Sequence, residues 1–453
     1  MNQITEKFSI KRRSFIFLLL LTFAAKSTLL SGQSDTFENK DPEVEKSKYA
    51  FGAIPVFAFD ADLGLKYGAV LNFFDYGDRL NMPAYDQYLY FRFTNTTKGS
   101  LTLQSVLESE TIFSKAKVIA EASFLRDKNL DFFGFNGMNS VYNAGFRQPE
   151  NPDFINKFYY SHKRSLLRLH LDLHHNIIER KLRLLTGYTY KNYKIDPIGP
   201  PLENETVNSP APELPATLFD QYNEWGIIPE NEKNGGSIHM LTLGLVYDTR
   251  KELNYSKDGI WVEAAMLIAP GFLNEQSFSR FVFTYRHHEG ILQDKIIFSL
   301  RLSSQHKISG RIPFYELPVF YDSRLSQDGV GGAFNLRGAF RNRIVADGFL
   351  LGNFETKFKL LEFTLFKQSF YTSFSVFYDI AQVTQAYKAD LSRVPEALRP
   401  KYFNDNKQQL HHTLGPGFYI VFNQNNVITV NYGFSTNPQD GIGGLYIGSS
   451  LLF

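Results

Sequence analysis

Between Ser165 and His174 the chain alternates with a period of two. Leu167, Leu169, Leu171 and Leu173 fall on one side, and Arg168, His170, Asp172 and His174 on the other. Successive side chains of an extended strand point to opposite faces. One face therefore suits hydrocarbon while the other demands water. The pattern recurs where Leu241, Leu243, Leu245 and Tyr247 oppose Thr242, Gly244 and Asp248, and where Phe370, Phe374, Val376 and Tyr378 oppose Ser373, Ser375 and Asp379. A soluble sandwich alternates too, but not over so many strands with bulky aromatics outward. Apolar-out, polar-in strands repeated along a chain predict the wall of a transmembrane β-barrel with a wet lumen.

Such segments fall near 51–59, 63–75, 86–95, 99–109, 115–126, 163–175, 181–193, 237–248, 259–268, 278–288, 292–302, 346–360, 370–380, 410–421, 426–434 and 443–453. Sixteen is an even number, as bacterial barrels require. The long connectors, 127–162, 194–236, 303–345 and 381–409, all follow odd-numbered segments and so share one end of the barrel. Periplasmic turns are short and extracellular loops long, which puts these connectors outside and the N-terminus in the periplasm. The expected fold is all-β: a 16-stranded antiparallel transmembrane barrel over 49–453.

The first residues change the picture of the N-terminus. Lys11, Arg12 and Arg13 precede an apolar block from Phe15 to Ala25, and small residues follow at Ser31 and Gly32. That is the layout of a secretory signal peptide, expected over 1–32 with cleavage before Gln33. The block is short, and wrongly flanked, for a membrane-spanning helix of ~20 residues. Residues 33–48 then form a short polar periplasmic tail. The chain has no Cys, hence neither a disulfide framework nor a lipid-acceptor thiol. A formal net charge of +2 lacks the basic excess of nucleic-acid binders. Aromatic residues make up 15% with only two Trp, so Phe and Tyr dominate, as in barrels.

Four segments, in order, carry a family resemblance. Asp248, Thr249 and Arg250, with Gly259 beyond, form an Asp-Thr-Arg turn between the eighth and ninth strands. Leu336, Arg337 and Gly338 follow Gly331 and Gly332 in the sixth extracellular loop. Asn353, Phe354 and Glu355 lie on the twelfth strand, and Phe377 and Asp379 on the thirteenth. Together they resemble the barrel of the superfamily of outer-membrane insertases and translocators that includes BamA, TamA and the two-partner secretion transporters. Phe133, Gly134, Phe135 and Asn139 in the third loop match a family motif more loosely.

The resemblance implies that the sixth loop folds into the lumen. Alternation alone points Glu355 and Asp379 inward, so Arg337 on such a loop would meet Asp379 in a charge-assisted pair, with Glu355 as a second acceptor within the same wall. Departures from the family pattern are Ala381 in place of Gly, and Ala339 in place of the aromatic after Arg-Gly, with Phe340 one residue later. The short tail leaves no room for the family's polypeptide-transport-associated domains. Gly448, Leu451 and Phe453 resemble the terminal signal by which barrels are recognised for insertion, which would make the chain a client of the barrel assembly machinery.

The adjacent pairs His174–His175, His287–His288 and His411–His412 point to opposite faces of their strands and suit no chelation. No nucleophile elbow, His-Glu-x-x-His motif or phosphate loop is present. No cofactor, metal site, nucleic-acid partner or enzymatic activity is expected. Three functions remain. One is assistance to polypeptide translocation or insertion at a seam between residues near 51–59 and 443–453, loosened by Gly441, Gly443, Gly444 and Gly448. The second is an accessory barrel binding an outer-membrane partner, and the third a small-molecule channel.

Overall fold

The computed structural model describes residues 48–78, 85–178, 181–198, 216–250, 256–322, 327–365, 368–405, 409–422 and 426–448. Sixteen strands form one closed antiparallel barrel. In chain order they are β1 Tyr49–Asp60, β2 Gly64–Asp75, β3 Gln87–Thr96, β4 Ser100–Phe113, β5 Ala116–Asp131, β6 Ser161–Ile178, β7 Leu182–Asp196 and β8 Gly235–Asp248. There follow β9 Gly259–Ala269, β10 Phe278–Ile291, β11 Ile296–Gly310, β12 Gly348–Leu365, β13 Gln368–Gln385, β14 His411–Phe422, β15 Asn426–Ser435 and β16 Gly444–Gly448. A two-stranded ribbon, Val319–Phe320 with Gln327–Asp328, lies in the connection before β12.

Alternation builds the wall as anticipated. On β6, Leu167, Leu169 and Leu171 are 40%, 43% and 44% exposed, whereas Arg168 and Asp172 are buried. Exposed apolar side chains form an outer belt, and on β6 the charged side chains level with that belt point inward. Matching the outside of the barrel to lipid makes this an outer-membrane barrel.

One strand differs from its expected position. The segment near 292–302 begins and ends later, as β11 at Ile296–Gly310. Leu292, Gln293 and Asp294 all have positive φ, so they make the tight turn that joins Ile291 to Ile296. A hydrophobic alternation that runs through a hairpin turn hides the turn, and left-handed backbone at three non-glycine residues has no strong sequence signature. Residues 1–32 and the tail to residue 47 lie outside the described residues, as do Leu451 and Phe453.

The barrel closes where β1 meets β16, with Phe59 opposite Ile447 and Asp60 opposite Tyr446 among the described residues. The connections after β5, β7, β11 and β13 share one end, and their apolar residues pack on one another. Phe132, Phe133, Phe146, Tyr160, Phe219 and Phe314 are buried in a single cluster. A helix, α1 Leu218–Glu224, carries Phe219 and Tyr222 into it and is capped by reciprocal bonds between Thr217 and Asp220. The long connectors thus form an aromatic cap rather than a set of separate solvated loops.

Candidate functional site

The candidate site grows from two paired strands. Register sets Asn353 opposite Asp379 and Glu355 opposite Phe377 on β12 and β13. All four are buried on the inward side, while Phe354 and Tyr378 between them are exposed outward. Two carboxylates, an amide and a ring therefore form a block on the inner wall.

Arg337, from the β11–β12 connection, caps that block. Its Nε and Nη2 donate to the two oxygens of Asp379 at 2.8 and 2.9 Å, and Nη1 donates to Glu355 Oε2 at 2.9 Å. Its backbone N–H also donates to Asp379, at 3.1 Å. The guanidinium lies over the Phe377 ring, 3.4 Å from the centroid. Fork-to-carboxylate geometry and ring stacking are the two things that arginine does and lysine does not. Burial opposes the charge on Arg337, but Asp379 and then Glu355 outweigh it and hold the guanidinium protonated beyond its ordinary range.

Further groups leave the block satisfied. Asn353 donates to Asp379 Oδ1 at 2.8 Å and to the Asn335 carbonyl, and Arg301 donates to Asn353 Oδ1 and to the Phe334 carbonyl. The Tyr419 hydroxyl donates to Glu355. Asn335 closes the loop on itself by accepting from Gly331 and donating to the Gly329 carbonyl, each at 2.6 Å.

Gly338 makes the close approach possible. Its φ of 102° is a region that favours glycine, and a Cβ there would lie 2.6 Å from the Gly433 carbonyl carbon. A Cβ on Gly433 of β15 would in turn meet the Arg337 carbonyl oxygen at 2.2 Å. Gly338 N–H donates to the Tyr446 hydroxyl at 3.1 Å, and its carbonyl accepts from Gly443 at 3.2 Å. Some of the glycines expected to loosen the seam also lie close to the loop tip. Gly441, Gly443 and Gly444 sit against neighbouring backbone or side chains, and only Gly448 has open space around it. At Gly441 a Cβ would lie 2.6 Å from the Gly338 carbonyl oxygen, so the absence of a side chain there admits the loop tip.

The two departures from the family pattern have structural counterparts. Ala339 is buried, and the next residue, Phe340, stacks on Phe133 with centroids 5.2 Å apart and meets Tyr142 at 4.8 Å. The aromatic one place late thus ties the loop tip to the β5–β6 connection. Ala381 is buried in the cluster with Val330, Leu336 and Ala339.

The Asp-Thr-Arg turn stands apart, in the β8–β9 connection at the opposite end. Arg250 donates twice to Asp248, at 2.9 and 3.0 Å, and lies 4.3 Å from the Trp261 centroid. Gly259 has φ 106°, and a Cβ there would lie 2.9 Å from Arg250 Cα. In each His pair one ring faces inward, namely His174, His288 and His411, while its neighbour lies on the other face of the strand.

Among solved structures the chain is similar to BamA from Haemophilus ducreyi lacking POTRA domains 1-3, with 13% identity, a TM-score of 0.53, and coverage of 89% of this chain and 70% of that one. It is also similar to CdiB from Escherichia coli, with 8% identity, a TM-score of 0.53, and coverage of 90% and 66%. The chain has the BamA-type barrel fold. At these identities the likeness is one of fold, and it places the protein among bacterial outer-membrane barrels. No family model matches the chain, and neither does any curated protein sequence.

In this BamA-type barrel several interior groups escaped the sequence analysis. Glu316 of the β11–β12 connection accepts from Lys191 and Tyr193 of β7, each at 2.6 Å. Asp322 pairs with Arg286 of β10. Arg343 donates to the carbonyls of Ser140 and Gln439 at 2.8 and 2.7 Å. Lys191 and Arg286 share the inward parity of their strands, but nothing local marks their partners. The aromatic richness of the long connectors was the one available sign of the cap.

Proposed function

We propose that the protein assists translocation of polypeptides across the outer membrane, or their insertion into it. The observation that carries this reading is the buried Arg337 fork against Asp379 and Glu355 on the inner wall, in a barrel of the BamA-type fold. The β11–β12 connection acts as a loop lodged in the lumen and latched to the wall. A latch of this kind holds the wall and the lumen in one arrangement and gives a polypeptide a defined surface to displace.

A small-molecule channel fits less well, because Phe133, Phe146, Tyr160 and Phe219 pack together across the connections at one end. Quantitative proteomics of outer membrane and medium after depletion tests the proposal. Selective loss of one class of barrels, surface lipoproteins or secreted proteins is expected. An unchanged proteome with a correctly folded barrel would overturn it in favour of an accessory barrel that serves a partner.

A further inference from the structure

The outer face of the barrel carries a basic patch that the interior chemistry does not use. On β5, β6 and β7 the outward positions near the long-connector end hold Arg126, Lys128, Lys163 and Lys194. Register places three of the outward residues side by side, Arg126 opposite Ser165 and Ser165 opposite Lys194. Neighbouring strands lie ~4.8 Å apart, so the two cations flank a serine hydroxyl across a gap of roughly 10 Å. One row further out, Lys163 stands opposite Asp196.

These cations are free of strong neutralisation. Arg126 and Lys128 are exposed, and Lys194 is 72% exposed, with Asp196 3.9 Å away. The inward neighbours tell the opposite story, since Arg164 and Lys191 are buried against Asp127 and Glu316. Among the described residues, the outward positions at the same ends of β8 to β15 hold no Lys or Arg. Ser237, His239, Ile268, His306, Thr384 and His412 stand there instead.

Height along the wall decides what the patch faces. Leu167 and Leu169 mark the apolar belt, and Ser165 and Lys163 follow on the same face. With ~3.3 Å per residue and a strand tilt of about 40°, those positions rise roughly 5 and 10 Å above Leu167. That is the depth of lipid headgroups, immediately above hydrocarbon.

We propose that Arg126, Lys128, Lys163 and Lys194 bind the phosphate-bearing headgroup of an outer-leaflet lipid, whose acyl chains lie along the Leu167–Leu169 belt. Arginine and lysine with an adjacent hydroxyl supply the donors that a phosphate accepts, and each cation near an anionic surface adds about 5-fold to binding. The site orients one sector of the barrel towards anionic lipid, while the outward positions at the same ends of β8 to β15 hold no Lys or Arg among the described residues. This does not depend on the polypeptide-handling proposal.

The test is native mass spectrometry of the purified full barrel in detergent, titrated with a diphosphorylated acylated glucosamine disaccharide and with the same lipid after dephosphorylation. Arg126→Gln, Lys128→Gln, Lys163→Gln and Lys194→Gln are combined in one variant, and Lys115→Gln with Lys181→Gln serves as a control that removes two charges at the other end. Heat-modifiable gel mobility verifies folding of each protein. Wild type and control should retain the phosphorylated lipid at least ~10-fold better than the variant and than they retain the dephosphorylated lipid. Equal retention by the variant, equal retention of the dephosphorylated lipid, or displacement by equimolar inorganic phosphate would each overturn the proposal.

Discussion

Replacing Arg337 with Ala should release the β11–β12 connection while leaving the barrel wall assembled. The substitution deletes three side-chain hydrogen bonds and the ring contact, and strands Asp379 and Glu355 as buried carboxylates. Removing one partner of a buried, hydrogen-bonded ion pair costs about 3–5 kcal/mol. That corresponds to roughly 150- to 5,000-fold in the population of the released loop. The backbone amides of Arg337, Gly338, Ala339 and Phe340 report on release, because each is bonded, to Asp379, Tyr446, Leu336 and Asp440 respectively. Hydrogen exchange of peptides covering 331–343, in nanodiscs, should accelerate towards that factor, with exchange in β2 to β7 unchanged. Arg337→Lys keeps the charge but not the fork, so its exchange should fall between the two. Removing the stranded acids as well, with Asp379→Asn and Glu355→Gln, should recover part of the loss. Exchange in Arg337→Ala within two-fold (~0.4 kcal/mol) of wild type would refute the latch.

Gly433→Val should reproduce the exchange signature of Arg337→Ala with every latch side chain intact, because its Cβ would meet the Arg337 carbonyl oxygen at 2.2 Å; normal exchange would show that the loop tip yields freely. Phe133→Ala removes a ring that contacts Phe340 and Tyr160 at 5.2 and 5.3 Å, a loss of ~3–5 kcal/mol in a packed core; exchange should rise in 132–160 and 339–343 together, and planar-bilayer conductance should increase. Gly259→Val imposes a β-branched side chain at φ 106° and within 2.9 Å of Arg250; refolding yield, read by heat-modifiable mobility, should drop while the loop-tip exchange of folded molecules stays at the wild-type rate.

The sequence by itself determined the wall. Period-two alternation is a local property, fixed by which side of a strand meets lipid, so Leu167 to Leu173 declared their strand without reference to anything distant. Strand number and the shared end of the long connectors followed from repetition of that local rule. The inward direction of Glu355 and Asp379 was legible for the same reason. Among the described residues alternation misled where it ran through a turn, at Leu292 to Asp294.

Tertiary structure alone decided what meets the inner wall. Closure of the barrel brings Arg337 to Asp379, Phe340 to Phe133 and Glu316 to Lys191, pairs separated along the chain by long connections. No local pattern selects such partners, because each contact exists only once the wall has closed and the connectors have been driven together by their own apolar surface. The glycines near the end of the chain show the difference most plainly. Composition pointed to a loose final strand, and only the folded protein shows Gly433 and Gly441 letting the backbone of Arg337 to Ala339 approach closely.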